Sequence, residues 1–190
     1  TFKIRYLVNS QKLFRVSKMK EHGLSQKVEE KIIKELKDAA PKIQGIIVSD
    51  FVYGVITPSI LKTITELSAK HQLLVFGDVQ CSSQIGNVSK FKNFDLLCPT
   101  EREARIAIGT QDEGVEWVAN TLMSQTNSIN MVMKLGGEGF IAYGTETDGS
   151  VNRQHFPALS INPVDVSGAG DSLLAALSVG LCSGATLMQA

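Results

Sequence analysis

The sequence has no excess of charge of either sign, because its 19 lysine and arginine residues are matched by 19 aspartate and glutamate residues. A balanced chain has no global field that would attract nucleic acid or an anionic membrane surface. The chain also lacks an apolar run of ~18 residues that could cross a bilayer, and its start lacks the charged-then-apolar order of a secretory signal. We therefore expect neither nucleic acid nor a membrane as a partner.

The sequence has few cysteines, and their spacing matches no known type of cysteine site. The three cysteines, Cys81, Cys98 and Cys182, are far apart and show neither the CxxC spacing of zinc or redox sites nor a disulfide framework. We therefore expect a protein of the reducing cytoplasm. Its 43% hydrophobic and 20% charged residues are typical of a globular protein with a real core.

Apolar periodicity predicts strands that alternate with helices. The predicted strands are 3–8, 12–16, 45–50, 73–78, 95–99, 129–136, 139–144 and 151–156. The first two form a hairpin through residues 9–11, and the last two form an antiparallel pair. Helices are predicted from Ser25, from a Thr57 cap followed by Pro58, from Thr100, over 113–124 and over 169–182. This order indicates an α/β fold with a mostly parallel sheet.

Ligands of parallel α/β sheets bind beyond the carboxyl ends of the strands. Several predicted strands end in polar residues or glycine, and this rule singles out Asp50, Asp78, Thr100 and Gly136.

The segment DVSGAGDSLL, residues 165–174, places two carboxylates around a glycine turn that precedes a helix. The turn Gly168-Ala169-Gly170 would present unpaired backbone N–H groups and the positive end of a helix dipole, which favours an anion. Simple helix capping by Asp165 or Ser167 is the alternative. No GxxxxGK[ST] motif occurs, which excludes Walker-A chemistry.

Asp171 favours the functional interpretation. A carboxylate beside a bound phosphate is repelled unless it has a chemical task, and removing a proton from an attacking hydroxyl is such a task.

DVSGAGDSLLAAL resembles the C-terminal signature of the ribokinase-like (PfkB) sugar kinases, usually Asp-Thr-x-Gly-Ala-Gly-Asp. Other segments are similar to family motifs and stand in the family's order: SDFVYG (49–54), GDVQ (77–80), PTEREA (99–104) and KLGGEGF (134–140). The opening TFKIRYLVNSQKLFRV is similar to the lid segment of heptose 7-phosphate kinase domains in ADP-heptose synthesis proteins. The resemblance covers almost the whole chain.

The resemblance implies a three-layer α/β/α fold, with residues 1–16 forming part of a small β-lid and 25–190 forming the core. The chain starts inside a predicted strand and stops where another helix begins. We expect residues 1–190 to be one sugar-kinase domain that lacks its N-terminal part and its C-terminal end, and the isolated fragment to be inactive.

The resemblance also implies roles for particular residues, with ATP and Mg²⁺ as ligands. Asp171 matches the catalytic base, and Gly168, Ala169 and Gly170 match the anion hole for the transferring phosphoryl group. Glu103 matches a glutamate that holds Mg²⁺ through water. The resemblance assigns nucleotide binding to Lys134, Gly136, Gly139, Thr100 and Asp165. Asp165 is expected mainly to order the glycine turn.

Structural alternatives stand beside these roles. Thr100-Glu101-Arg102-Glu103 has the form of a capping box, and the glycines after Lys134 could simply form a hairpin turn. Asp78 either faces the sugar or caps a helix. The basic residues of the opening hairpin, including Lys3, Arg5 and Arg15, either grip a phosphate on the sugar or keep a solvated edge from aggregating.

The implied reaction is transfer of the γ-phosphate of ATP to a sugar hydroxyl, with the C1 hydroxyl of heptose 7-phosphate as the leading acceptor. Another sugar, sugar phosphate or nucleoside is the alternative within enzymes. A non-catalytic nucleotide- or sugar-binding homologue is the alternative from another class. The resemblance further implies a possible homodimer through the β-lid and a possible nucleotidyltransferase domain fused in the full-length protein.

Overall fold

A computed structural model describes residues 2–8, 11–18, 23–80, 86–146, 148–159 and 166–190. The strands are β1 (Phe2–Val8), β2 (Gln11–Lys18), β3 (Gly45–Asp50), β4 (Leu74–Val79), β5 (Leu96–Leu97), β6 (Asn130–Lys134), β7 (Phe140–Thr145) and β8 (Val151–Phe156). The helices are α1 (Gln26–Ala39), α2 (Pro58–His71), α3 (Glu101–Ile108), α4 (Val115–Thr126) and α5 (Ala169–Cys182). None of these helices is long and apolar enough to cross a membrane.

Six strands form one sheet in the order β3-β4-β5-β6-β7-β8. Strands β3 to β6 pair in parallel, whereas β7 and β8 pair antiparallel. The predicted α/β class and the mostly parallel sheet are confirmed. Strand β5 is shorter than predicted, because Pro99 has no N–H to continue a ladder and only an isolated bridge joins Thr100 to Lys134.

Helices cover both faces of the sheet, as the three-layer prediction required. Successive strand residues point to opposite faces, and the buried clusters follow that alternation. One face packs against the first four helices and includes Val75, Val79, Met131, Met133, Ile60, Ile64 and Leu122. The other face packs against α5 and includes Phe76, Leu96, Val132, Leu174 and Leu177.

Local signals fix the start of α2 as the sequence predicted. The Thr57 hydroxyl accepts a hydrogen bond from the Ile60 N–H at 3.2 Å, and Pro58 occupies the first helical position. The helix ends at Gln72, which adopts a left-handed conformation. This placement sets α2 between β3 and β4 on the sheet face opposite α5.

Strands β1 and β2 form a separate antiparallel hairpin, which confirms the predicted pairing. Residues 9 and 10 of the predicted turn lie outside the described residues. Tyr6 and Phe14 face each other in the register, with stacked rings 4.4 Å apart between centroids. The large apolar side chains on this face are exposed: Phe2, Ile4, Tyr6, Phe14 and Val16.

The hairpin register puts the predicted basic positions on its other face. Arg5 is directly opposite Arg15, and Lys3 is two residues before Arg5. The Arg5 side chain is exposed, whereas the side chains of Lys3 and Arg15 lie outside what the structure describes. The described side chains of the hairpin thus include several exposed apolar groups and the exposed Arg5.

Candidate active site

The carboxyl ends of the parallel strands meet the start of α5 at one edge of the sheet. Asp78 is the second-last residue of β4, Lys134 is the last residue of β6, and Asp171 lies in the first turn of α5. Thr100 follows β5 and forms an isolated bridge with Lys134. The strand-end rule and the glycine motif thus identified residues that converge in the structure.

Glycine occupies the N-cap position of α5, so no side chain at that position caps the helix. Its N-cap position is Gly168, in a left-handed conformation with φ +80°, and the Gly168 carbonyl accepts from the Ser172 N–H at 2.8 Å. Gly168, rather than Asp165 or Ser167, occupies the N-cap position. Asp165 lies outside the described residues, and the capping alternative stays a prediction. The Ala169 N–H donates to the Val166 carbonyl at 3.3 Å, so this member of the predicted anion hole is already engaged. A helix N-terminus with glycine at its N-cap is otherwise suited to hold an anion.

Asp171 is exposed at this helix start, but its carboxylate is held. The side-chain amide of Gln80 donates to Asp171 Oδ1 at 2.7 Å. Gln80 directly follows β4, and its backbone N–H donates to the Asp50 carbonyl at 2.8 Å. Sequence reasoning missed Gln80, although its position two residues after Asp78 on the same strand was an available signal.

Lys134 and Asp78 form a buried ion pair. Lys134 Nζ lies 2.9 Å from Asp78 Oδ1, and the side chains are 16% and 1% exposed. Asp78 lies within β4 and caps no helix, so that alternative is wrong. The other oxygen, Asp78 Oδ2, is buried without a hydrogen-bond partner in the part of the chain that the structure describes.

The ion pair lies against the glycine turn. A Cβ placed on Gly170 would lie 3.3 Å from Lys134 Nζ, so the ammonium group is in close contact with this turn. Burial raises the pKa of Asp78 above its usual value; Lys134 partly offsets this, whereas the charges of Glu103 and Asp171 raise that pKa further. One cation and three carboxylates therefore interact at this edge.

Glu103 lies in the first turn of α3 and forms, with Thr100, the capping box that the sequence predicted. The Thr100 hydroxyl accepts from the Glu103 N–H at 3.2 Å, and Glu103 Oε2 accepts from the Thr100 N–H at 2.8 Å. Glu103 is buried. This cap fixes its carboxylate close to the Lys134 end of β6, since the Lys134 N–H donates to the Pro99 carbonyl at 2.8 Å.

The loop after Lys134 is a glycine turn between β6 and β7. Gly136 has φ +64° and Gly139 has φ +92°, both in the left-handed region. At Gly139 a Cβ would lie 2.0 Å from the Phe156 carbonyl oxygen, so no other residue fits without displacing backbone. The predicted hairpin turn is confirmed, and the nucleotide-binding role of this loop stays a prediction.

The side chain of Asp50, at the end of β3, is held by contacts within the fold. Its carboxylate accepts from the Val52 N–H at 2.8 Å and forms a close ion pair with Lys90. Cys98 is buried beneath the site, and burial raises the pKa of its thiol to about 12. Neither residue is therefore available as a nucleophile at neutral pH.

The described residues contain no group of three or more histidine, cysteine, aspartate or glutamate side chains that could hold a metal ion. Asp78 and Glu103 are buried carboxylates at this edge. Such a sparse set suits Mg²⁺, which keeps several waters and is usually completed by substrate phosphates.

Comparison with known proteins gives a consistent result. The model of a family described as pfkB family carbohydrate kinase matches residues 20–190. The bifunctional protein HldE of Trichlorobacter lovleyi is 29% identical over 190 residues, covering 98% of this chain and 37% of that protein. HldE of Geotalea uraniireducens is 28% identical over 186 residues, covering 96% of this chain and 36% of that protein. The chain thus spans little more than a third of these relatives.

Solved structures with the same fold include phosphofructokinase-2 from Escherichia coli in complex with substrates and products. It has a TM-score of 0.72 at 17% identity, covering 94% of this chain and 56% of that chain. Arabidopsis thaliana ribokinase complexed with ribose and ATP has a TM-score of 0.60 at 19% identity, covering 90% of this chain and 50% of that chain. These likenesses support the fold.

Proposed function

Because this chain belongs to the pfkB family of carbohydrate kinases, we propose that it supplies the catalytic part of an enzyme that transfers the γ-phosphate of ATP to a sugar hydroxyl. The observation that carries this proposal is Asp171 in the first turn of α5, where the Gly168–Gly170 turn lies against the ammonium group of Lys134. A base next to a fixed anion site is what transfer to a hydroxyl requires.

In the proposed step, Asp171 takes the proton of the acceptor hydroxyl. The sugar oxygen forms a bond to the γ-phosphorus while the bond to the β–γ bridging oxygen breaks, and ADP leaves with that electron pair. The backbone N–H groups of Gly168 and Gly170 stabilise the negative charge on the transferred group, helped by the helix dipole, whereas the Ala169 N–H would have to leave the Val166 carbonyl to join them. Positioning and electrostatic stabilisation supply most of the catalysis in phosphoryl transfer.

Nucleotide contacts are assigned to Lys134, to the loop containing Gly136 and Gly139, and to Thr100. The Thr100 hydroxyl already accepts from the Glu103 N–H, so further bonding would come from its own O–H donor. Bound Mg²⁺ would neutralise charge on the nucleotide phosphates. Glu103 would hold its water ligands, and Asp78 Oδ2 offers a second oxygen.

Heptose 7-phosphate, phosphorylated at C1, is the acceptor that we propose. The similarity to bifunctional HldE proteins supports it. Arg5 and Arg15 are opposite each other in the hairpin register and Lys3 is two residues before Arg5, and basic residues at these positions would suit a phosphate already on the sugar. As part of this proposal, the hairpin is a lid over the sugar, and Asp78 acts near the sugar end of the site.

The assembly of the whole protein is proposed on the same grounds. The exposed apolar face of the hairpin, with the stacked Tyr6 and Phe14, favours pairing with a second copy of the chain. The relatives are bifunctional and much longer than this chain, which favours a fused nucleotidyltransferase domain. The free Cys98 and Cys182 suit the proposed cytoplasmic location.

The direct test is phosphoryl transfer by the intact protein with Asp171→Asn, using ATP and a panel of sugars and sugar phosphates. Asparagine keeps the size but cannot take the proton, so we expect turnover to fall roughly 10²–10⁴-fold. Asp38→Asn, an exposed change on α1, is the control and should leave turnover unchanged. Near-normal turnover of Asp171→Asn would refute the assignment of the base, and nucleotide binding without turnover on any sugar would favour a non-catalytic homologue.

A further inference from the structure

One hydrogen bond links the end of β4 to the proposed base. Gln80 Nε2 donates to Asp171 Oδ1 at 2.7 Å across a sequence separation of 91 residues. The donor lies on the central sheet and the acceptor in the first turn of α5, so the bond joins two layers of the fold at the site.

The Gln80 backbone is well anchored for this contact. Its N–H donates to the Asp50 carbonyl at 2.8 Å and extends the β3–β4 ladder one residue beyond β4. The strand before it is buried along most of its length. Only the side-chain torsions of Gln80 remain free, so its amide reaches Asp171 from a fixed origin.

The chemistry of the bond suits a base. The χ2 torsion of aspartate is broad, so an exposed carboxylate rotates easily unless a donor holds one oxygen. The amide is a neutral donor, which restrains Oδ1 without placing a full positive charge beside it. Oδ2 is then the oxygen left to accept the hydroxyl proton.

We infer that Gln80 is a positioning residue, whose amide holds the Asp171 carboxylate in the orientation that deprotonates the acceptor hydroxyl. This inference rests on the proposed function, because the orientation matters only if Asp171 is the base. It assigns to Gln80 a role in kcat and none in nucleotide affinity.

Two substitutions of Gln80 by side chains of similar length distinguish the effect of the hydrogen-bond donor from the effect of side-chain size. Gln80→Met removes the donor, and we expect kcat to fall roughly 10–100-fold, since misplacement of a reacting group by about 1 Å costs on that order. Gln80→Lys keeps a donor but places a full positive charge beside the base, which lowers its basicity, so it should recover only part of the loss. The KM for ATP should stay within about twofold of the wild type in both variants, because the bond acts on the base alone.

The chain offers a matched control for the bond itself. On α1, Gln26 Nε2 donates to Glu30 Oε1 at 2.8 Å, an exposed amide–carboxylate bond of nearly the same length. Gln26→Met should leave kcat unchanged. In the Asp171→Asn background, Gln80→Met should add almost nothing, because a positioning residue cannot act without the base.

The outcomes distinguish this inference from the proposed function. If Asp171→Asn loses turnover while Gln80→Met keeps it, the inference is wrong and the proposed function stands. If the two losses multiply in the double variant, Gln80 does not act through Asp171, and the inference is again wrong. Near-normal turnover of Asp171→Asn would overturn both together.

A spectroscopic measurement tests the contact without activity. In the intact protein labelled with ¹⁵N, the side-chain amide resonances of Gln80 should shift in Asp171→Ala, whereas those of Gln26 should not. Unchanged Gln80 resonances would refute the inference even if no sugar in the panel is phosphorylated.

Discussion

Replacement of Lys134 by methionine should expose how strongly the buried ion pair controls stability. Methionine keeps most of the apolar stem but removes the ammonium group, which lies 2.9 Å from Asp78 Oδ1. Asp78 would then be a carboxylate 1% exposed, with neither oxygen paired by a side chain. Breaking a buried ion pair from one side costs about 3–5 kcal/mol, because the remaining charge stays buried.

The loss should depend on pH in a definite direction. The pKa of Asp78 is already raised above its ordinary 3.8 by burial, and Lys134 is the group that lowers it. Without Lys134 the folded state binds the Asp78 proton still more tightly than the unfolded state does. Between the two pKa values the free energy of unfolding falls as pH rises. The variant should therefore be weakest near neutral pH and should regain stability in acid.

The assay is urea unfolding of the intact protein followed by circular dichroism at neutral and mildly acidic pH. With a slope of roughly 2 kcal/mol per M, the expected loss lowers the midpoint by about 2 M at neutral pH. The control is Lys62→Met, because Lys62 and Glu66 form an exposed pair with N···O 3.9 Å and should contribute about 0.5 kcal/mol or less. An Lys134→Met midpoint no lower than that of Lys62→Met would refute the reasoning.

Two further pairs of substitutions test the glycine turn and the capping box. Gly139→Ala should lower the free energy of unfolding by more than about 3 kcal/mol, because its Cβ would clash with the Phe156 carbonyl oxygen. Gly149→Ala is the control, because this glycine also has a positive φ but lies in open space, and it should cost about 1 kcal/mol. Equal decreases in the melting temperature of the two variants would contradict this prediction. Glu103→Gln keeps an oxygen that accepts from the Thr100 N–H, so the free energy of unfolding should change by less than about 0.5 kcal/mol. The Mg²⁺ concentration for half-maximal activity should rise roughly tenfold. Glu103→Ala should in addition lose about 1 kcal/mol, and an unchanged Mg²⁺ requirement in both variants would leave Glu103 only its capping role.

Local patterns were sufficient to predict most of the fold. The Thr57-Pro58 start of α2 and the capping box at Thr100 and Glu103 depend on residues within one helical turn, and the structure confirms both. The strand-end rule located the site edge because parallel strands share the direction of their carboxyl ends.

The contacts within the site could not be predicted in the same way. The pairs Lys134–Asp78 and Gln80–Asp171 join residues separated by 56 and 91 positions. Periodicity shows which strand ends lie at one edge, but not which side chains meet there. The left-handed conformation of Gly168 at the N-cap of α5 is likewise a matter of backbone geometry, which a sequence of small residues leaves open.

Strand β4 makes the chemistry of the site intolerant of changes in chain length. Asp78 and Gln80 are separated by one residue, Val79, so both are on the face toward α5 while Val79 packs on the other. A one-residue insertion or deletion within 74–77 would turn both polar side chains into the opposite apolar layer at once. The cation's partner and the donor to Asp171 would then be lost in a single event. Substitutions can therefore change the ion pair of Asp78 and the hydrogen bond of Gln80 separately, whereas insertions or deletions in this strand change both together.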